Sequence, residues 1–175
     1  MNLILTAPMW LLGLLAAALV IAALEDAIRL RISNLSVGGV LLAALVAMGL
    51  QGFPLALWQN WAVFAALLIL GTPLFAAGKV GGGDVKLLAA VGLWVDLPAA
   101  VWLIAAVFLA GGVLAILFLT ARLVWQRQRG GEKIGSKGIP YGLAIAAGAA
   151  ILFAGQLPAT KEKPERPGPR SLNLI

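Results

Sequence analysis

The sequence predicts an all-α integral membrane protein, a six-helix transmembrane bundle with a short or tilted fourth helix. Composition gives the class, because 62% of the 175 residues are hydrophobic and only 11% are charged, whereas roughly a quarter of residues are charged in soluble domains. The mean hydropathy is +1.00. Since one membrane span needs about 20 residues, the chain has room for about six helices with short loops and for no large soluble domain.

Six apolar runs give the predicted helices. The first run, 1–24, contains no Lys or Arg, so it lacks the charged start of a cleavable signal peptide and is expected to stay as the first span. The fourth run has 14 residues, fewer than the roughly 17 that a comfortable crossing needs. We assign residues 1–158 to one transmembrane domain and residues 159–175 to a disordered tail. The other runs are 35–52, 55–75, 84–97, 98–120 and 139–157.

The positive charges predict the orientation of these spans. Basic residues follow the first run, surround the glycines before the fourth, and fill 122–137 after the fifth, whereas the loops between them carry none. Cytoplasmic loops are enriched in Lys and Arg, so the N-terminus is expected outside. The tail has four basic residues between 161 and 170 and falls outside by this count, which conflicts with the rule.

Because the basic residues are divided among loops and form no single patch, a nucleic-acid partner is not expected.

Two acids lie at the ends of apolar runs. Asp26 follows the first run, and Asp84 opens the fourth directly after three glycines. Both ends are predicted at the cytoplasmic boundary, so the two carboxyl groups are expected at similar depth, where they could meet. Placing a charged carboxylate inside the membrane costs free energy, so an acidic residue in such a position is a candidate functional residue.

Paired carboxyl groups favour peptide hydrolysis by acid-base chemistry. Two such groups a few Å apart do not both ionise readily and share one proton. The ionised member can deprotonate a water molecule, while the protonated member donates a hydrogen bond to the carbonyl oxygen under attack. This chemistry needs no metal and no cofactor. The chain has no His and no Cys, which removes the usual zinc ligands and the Ser-His arrangement.

Residues beside Asp84 are candidates for shaping this site. Gly81 and Gly83 are expected to let the backbone pass close to a bound peptide and to adopt positive φ before the helix begins. Their N–H groups could also pair with an extended substrate. Lys86 is expected to anchor the helix end at the membrane interface.

Each acid also has a simpler explanation. Asp84 could be only a helix N-cap that follows a flexible glycine linker. Asp26 could be a solvated acid that pairs with Arg29 or Arg31. Under these explanations neither residue would take part in chemistry.

Three segments in a fixed order carry a resemblance to a known family. Residues 81–94 contain three glycines, then Asp84, and an apolar stretch that ends in a tryptophan; residues 26–34 contain an aspartate, basic residues and an Ile-Ser-Asn ending; residues 139–145 begin the last run. Together they resemble the type IV prepilin peptidases, the bacterial GxGD aspartyl proteases, in particular their short form from Tad/Flp pilus systems. Ser33 departs from the pattern, since it stands where the family usually has proline.

The resemblance implies a function and a location. It implies that Asp26 and Asp84 are the catalytic aspartates, and that the substrate is a prepilin with a short basic leader, a glycine before the cut and an apolar helix after it. The protein would span the lipid bilayer of the bacterial inner membrane and cleave its substrate at the cytoplasmic face. Long members of the family add a zinc-binding loop and N-methylate the product; this chain has no Cys and shows no such loop, so methylation is unsupported.

Two other classes of function remain open from the residues alone. In a small ion- or proton-coupled transporter, Asp26 and Asp84 would be relay sites; transport predicts acids near the bilayer midplane and internal repeats. In an assembly scaffold, small-residue faces such as Ala43-Ala44 and Gly111-Gly112 would hold partner proteins. A scaffold would tolerate neutral replacement of either acid.

Overall fold

The computed structural model describes residues 1–128 and 141–156, and the regular structure in these ranges is all helical, which confirms the predicted class. Three parts of the sequence predictions lie outside the described ranges: the tail at 159–175, the end of the last apolar run at residue 157, and the basic residues from 129 to 137. One turn of 3₁₀ helix, Leu55–Leu57, precedes α4. The helices are α1 (Leu3–Thr6), α2 (Met9–Arg29), α3 (Asn34–Leu50), α4 (Trp58–Ala76), α5 (Gly82–Gly92), α6 (Leu97–Gln128) and α7 (Tyr141–Gln156).

Three segments are long and apolar enough to cross a membrane: Met9–Arg29, Leu55–Ala76 and Leu97–Ala121. The helices α3 and α7 are apolar but shorter, with 17 and 16 residues. Large hydrophobic side chains on the outside of the protein, such as Leu70 and Phe108, are exposed, as expected where lipid is the solvent. The chain is therefore described as an all-α membrane protein, and the count of six spans stays a prediction.

The first predicted span is interrupted near its start and ends later than expected. Ala7 and Pro8 are both extended, because the residue before a proline is disfavoured in the helical region. The helix α2 then continues past residue 24 to Arg29. It ends where Leu30 adopts a left-handed conformation with φ 52°, and the Leu30 N–H donates to the Asp26 carbonyl oxygen. Asp26 thus lies in the last turn of α2.

Two other predicted boundaries also need correction. The fifth run was expected to end at residue 120, but α6 continues to Gln128, since polar and basic residues form helix readily outside an apolar run. The fourth run was expected to begin at Asp84 and end at residue 97. Its helix, α5, begins at Gly82 and ends at Gly92.

The short helix α5 lies in the middle of the protein, in contact with α3, α4 and α7. Its 11 residues span only about 16 Å, roughly half of the hydrocarbon core. Most of it is buried, so its ends can lie within the protein instead of reaching both interfaces. At its far end the fully buried Asn60 donates to the Leu93 carbonyl oxygen at 3.0 Å, and the Trp94 indole N–H donates to the Val40 carbonyl oxygen at 3.3 Å.

Glycines allow the helices to approach closely. A Cβ atom added at Gly92 of α5 would lie 2.5 Å from the Leu67 side chain of α4. One added at Gly148 of α7 would lie 2.6 Å from the Val107 backbone of α6. Small residues at such crossings are typical of membrane helix packing. These contacts hold α5 and α7 in place, and both helices carry groups of the candidate site.

Candidate active site

Asp26 is held by the first residues of α7. Its side chain is only 5% exposed, and the Gly142 N–H donates to its Oδ2 at 2.6 Å. The first N–H groups of a helix have no partner within the helix, and the positive end of the helix dipole attracts a carboxylate. The N-terminus of α7 therefore fixes the position of Asp26.

Gly142 is a site residue that the sequence reasoning missed. A Cβ atom there would lie 3.0 Å from Asp26 Oδ2 and 2.8 Å from Ile32 Cδ1, so a larger residue would push the carboxylate or the loop away. The available signal was weak. Residues 139–145 were recognised only as a resembling segment, and a glycine near the start of an apolar run does not by itself indicate a hydrogen bond to a distant acid.

Asp84 is the third residue of α5, and the N-cap position before the helix is occupied by Gly81. The N-cap explanation for Asp84 is therefore wrong. Asp84 Oδ2 lies close to this N-cap residue, since a Cβ atom at Gly81 would be 2.7 Å from it. The side chain is 8% exposed, and its Oδ1 is buried without a hydrogen-bond partner in the described part of the chain. One oxygen of Asp84 is thus available to bind a further group.

The role of the glycines before Asp84 differs from the one expected. Gly81 has φ −69°, and Gly83 lies within the helix, so neither adopts positive φ. Both are required by close contacts. A Cβ atom at Gly81 would lie 2.7 Å from Asp84 Oδ2, and one at Gly83 would lie 3.0 Å from Ile32 Cβ and 3.3 Å from the Ile32 carbonyl oxygen.

The fold brings the two acids together through shared neighbours. Ile32, in the loop between α2 and α3, contacts both Gly83 and Gly142. Gly83 precedes Asp84, and Gly142 donates to Asp26. Ile32 therefore lies against the segments that carry both carboxyl groups. The site therefore assembles from the end of α2, the start of α5 and the start of α7.

The simpler explanation for Asp26 is wrong. The side chain is buried and accepts a backbone N–H group, so it is not a solvated acid. Within residues 1–128 and 141–156, the ion pair observed joins the amino terminus to Asp96 at 3.8 Å. Neither Arg29 nor Arg31 pairs with Asp26 in these ranges.

Ser33, which departs from the family pattern, caps α3 and takes part in a small hydrogen-bond cluster. Its Oγ accepts the Ser36 N–H at 3.2 Å, and its own N–H donates to Glu25 Oε2 at 3.0 Å. The Ser36 hydroxyl donates to the same Glu25 oxygen at 2.7 Å. Ser33 has φ −74°, which proline also adopts, but proline has no N–H to donate. Side-chain bonds therefore fix this loop where a proline ring would otherwise do so.

Lys86 lies on the exposed side of α5, one turn from the glycines. Its Nζ donates to Asn34 Oδ1 at 3.2 Å, which links the start of α5 to the start of α3. The contact places a positive charge at the same end of the protein as the two acids. Its part in the site stays a prediction.

An apolar cavity of about 470 Å³ opens beside Asp84. It lies between α4, α5, α6 and α7, and Asp84 is the one charged residue that lines it in the described part of the chain. In the same ranges no three His, Cys, Asp or Glu side chains form a group that could hold a metal ion.

These features define a class: a membrane protein in which two buried aspartates from different helices lie together at one end of the helices. The comparison with known families goes further. The model of the type IV leader peptidase family matches residues 13–118, more than half of the chain and a range that includes both aspartates. The protein belongs to the type IV leader peptidase family, and that membership indicates a peptidase. No curated protein and no solved structure matches the chain.

Proposed function

We propose that the protein is an aspartic-type endopeptidase that removes the leader peptide from Tad/Flp-type prepilins, with Asp26 and Asp84 as its catalytic residues. The observation that carries the proposal is the burial of both aspartates in segments that meet at Ile32, with Asp26 held by the Gly142 N–H. Membership of the family supports the reaction class. The alternative of a transporter needs acids near the middle of the membrane, whereas these lie in the last turn of α2 and the first turn of α5.

The chemistry needs two carboxyl groups that share one proton. The ionised carboxylate takes a proton from a water molecule, whose oxygen attacks the carbonyl carbon of the peptide bond after the leader glycine. The protonated carboxyl group donates a hydrogen bond to the carbonyl oxygen as negative charge develops there. Collapse of the tetrahedral intermediate breaks the C–N bond, and the leaving nitrogen receives the proton that the carboxylate took from water. The free Oδ1 of Asp84 is available for one of these contacts.

The neighbouring residues keep the site open and in place. Absence of a side chain at Gly81 and Gly83 leaves room for Asp84 and for the Ile32 loop, and an extended peptide can approach the exposed backbone at Gly81. Lys86 shapes the site by linking α5 to α3 through Asn34.

The proposed location is the cytoplasmic side of the bacterial inner membrane. Arg29 ends α2 and Arg31 follows it, and Lys79 and Lys86 flank the start of α5, so these positive charges lie at the same ends of the helices as the two aspartates. The positive-inside rule assigns that end to the cytoplasm. The basic leader of a prepilin would then remain in water while its apolar helix stays in the bilayer.

Reconstitution tests this proposal. The purified protein is placed in lipid vesicles with a purified Flp-type prepilin, and the products are identified by mass spectrometry. We expect a single cut after the leader glycine that persists in EDTA, because the proposed reaction uses two carboxyl groups and no metal. A prepilin with that glycine replaced by valine is the control and should resist cleavage. No cut, or a cut that EDTA abolishes and added metal restores, would contradict the proposal.

A further inference from the structure

The cavity beside Asp84 extends away from the two acids along the helices. Near the site it is lined by Asp84, Val80 and Tyr141, and deeper by Leu67 and Ile104. Its wall on α4 covers seven residue steps, which is about 10 Å, and its wall on α6 covers eleven, about 16 Å. An apolar cavity of this length therefore extends from Asp84 toward the middle of the membrane.

Small residues keep the cavity open. Gly71, Gly111, Gly112, Ala115 and Ala144 all line it. A Cβ atom at Gly111 would be in ordinary contact with Ala144 at 3.5 Å, but one at Gly112 would meet nothing within 4 Å. Glycines at tight crossings have close neighbours, as Gly148 does, whereas Gly112 is an exposed residue of the cavity lining with room for a larger side chain.

The chemistry of the lining restricts what can enter. A charged group buried here without a partner would be strongly disfavoured, which excludes the basic leader. Apolar side chains carry no such penalty and can occupy the cavity. A helix 10 Å long occupies roughly 900 Å³ with its side chains, about twice the cavity, so only one face of a helix fits.

We propose that this cavity binds the first apolar side chains after the scissile bond of the substrate, and that Gly112 sets the size of side chain accepted there. The proposal rests on the proposed peptidase function and adds a specificity site to it. The cleaved bond lies beside Asp84, the leader extends toward water, and the start of the mature helix lies against α4 and α6. Asp84 lines this cavity and also carries a buried oxygen with no hydrogen-bond partner in the described part of the chain, which connects the cavity to the reacting bond.

The test compares Gly112→Phe with Gly13→Phe in reconstituted vesicles. Gly13 also has nothing within 4 Å of an added Cβ, is exposed on α2 and does not line the cavity. Two prepilins are used, with either alanine or phenylalanine directly after the leader glycine. We expect Gly112→Phe to lower kcat/KM for the phenylalanine substrate at least about 10-fold more than for the alanine substrate, as pocket contacts discriminate side chains of different size. Gly13→Phe should leave the ratio of kcat/KM for the phenylalanine substrate to kcat/KM for the alanine substrate unchanged.

A second variant, Gly112→Leu, should give an intermediate ratio and serves if the phenylalanine variant folds poorly. Equal effects on both substrates, as expected if a lipid chain or another copy of the protein fills the cavity, would overturn the assignment. Unchanged rates with both substrates would overturn it as well. Neither result would contradict the peptidase proposal, provided that the unsubstituted protein cuts after the leader glycine. The peptidase function and the specificity site are therefore tested independently.

Discussion

Asp26→Asn and Asp84→Asn are each expected to abolish leader removal while the protein remains in the membrane. Asparagine keeps the size of aspartate, and at position 26 its carbonyl oxygen can still accept the Gly142 N–H. It cannot take a proton from water, and the pair can no longer share one proton. Acid-base catalysis by a single group contributes typically 10²–10⁴-fold, so the loss should bring processing below detection by gel shift in cells that co-express the prepilin.

The matched control for these variants is Asp96→Asn. Asp96 lies beyond the other end of α5, where its Oδ1 accepts the Ala99 N–H at 3.2 Å at the start of α6. Asparagine caps helices as well as aspartate does, so this variant should process the prepilin as the unsubstituted protein does. Immunoblots of the membrane fraction establish equal amounts of each variant. Continued processing by either of the site variants would remove both aspartates from the proposed mechanism.

Gly148→Val is expected to have the largest effect on stability. The new Cβ would lie 2.6 Å from both the N and the Cα of Val107, and backbone of a packed helix cannot move aside as a flexible side chain can. Overpacking of this kind costs about 1–3 kcal/mol and occasionally more. The separation of α6 from α7 would also move the start of α7, which holds Asp26. A fall in the thermal unfolding temperature in detergent, together with slower processing, is the expected result.

Gly155→Val on the same helix provides the comparison. A Cβ atom at Gly155 meets nothing within 4 Å, and the residue is exposed near the end of α7. Valine and glycine differ only by a few tenths of a kcal/mol in helix propensity, so its unfolding temperature should stay near that of the unsubstituted protein. Equal unfolding temperatures for the two valine variants would show that α6 and α7 do not pack closely at Gly148.

The class of the fold was predictable because helices that lie in lipid need mostly hydrophobic residues and few charged ones. Apolar runs gave the order and approximate position of the long helices, since each run must satisfy its own backbone hydrogen bonds. Boundaries were less accurate. Pro8 interrupts the first run and α2 continues to Arg29, which places Asp26 inside a helix and directs its carboxylate toward α7.

The site was predictable in part. Asp26 and Asp84 were found because an acid at the end of an apolar run is unusual, and the structure places both in buried positions. The support around them was not found. The hydrogen bond from Gly142 to Asp26 joins residues 116 positions apart, and no local pattern indicates such a contact. The glycines at 81 and 83 were noticed, but close contact with Asp84 and Ile32 explains them, and positive φ does not.

The central claim is that Asp26 and Asp84 form one site, and cysteine cross-linking tests it most directly. The chain has no native Cys, so an Asp26→Cys/Asp84→Cys variant carries only two thiols. A short bis-methanethiosulfonate reagent should join them within one protein molecule, as detected by mass spectrometry of the digested chain. The Asp84→Cys/Asp96→Cys pair, separated by the length of α5, should remain unlinked. Absence of the first cross-link, or equal linkage of both pairs, would contradict the paired site.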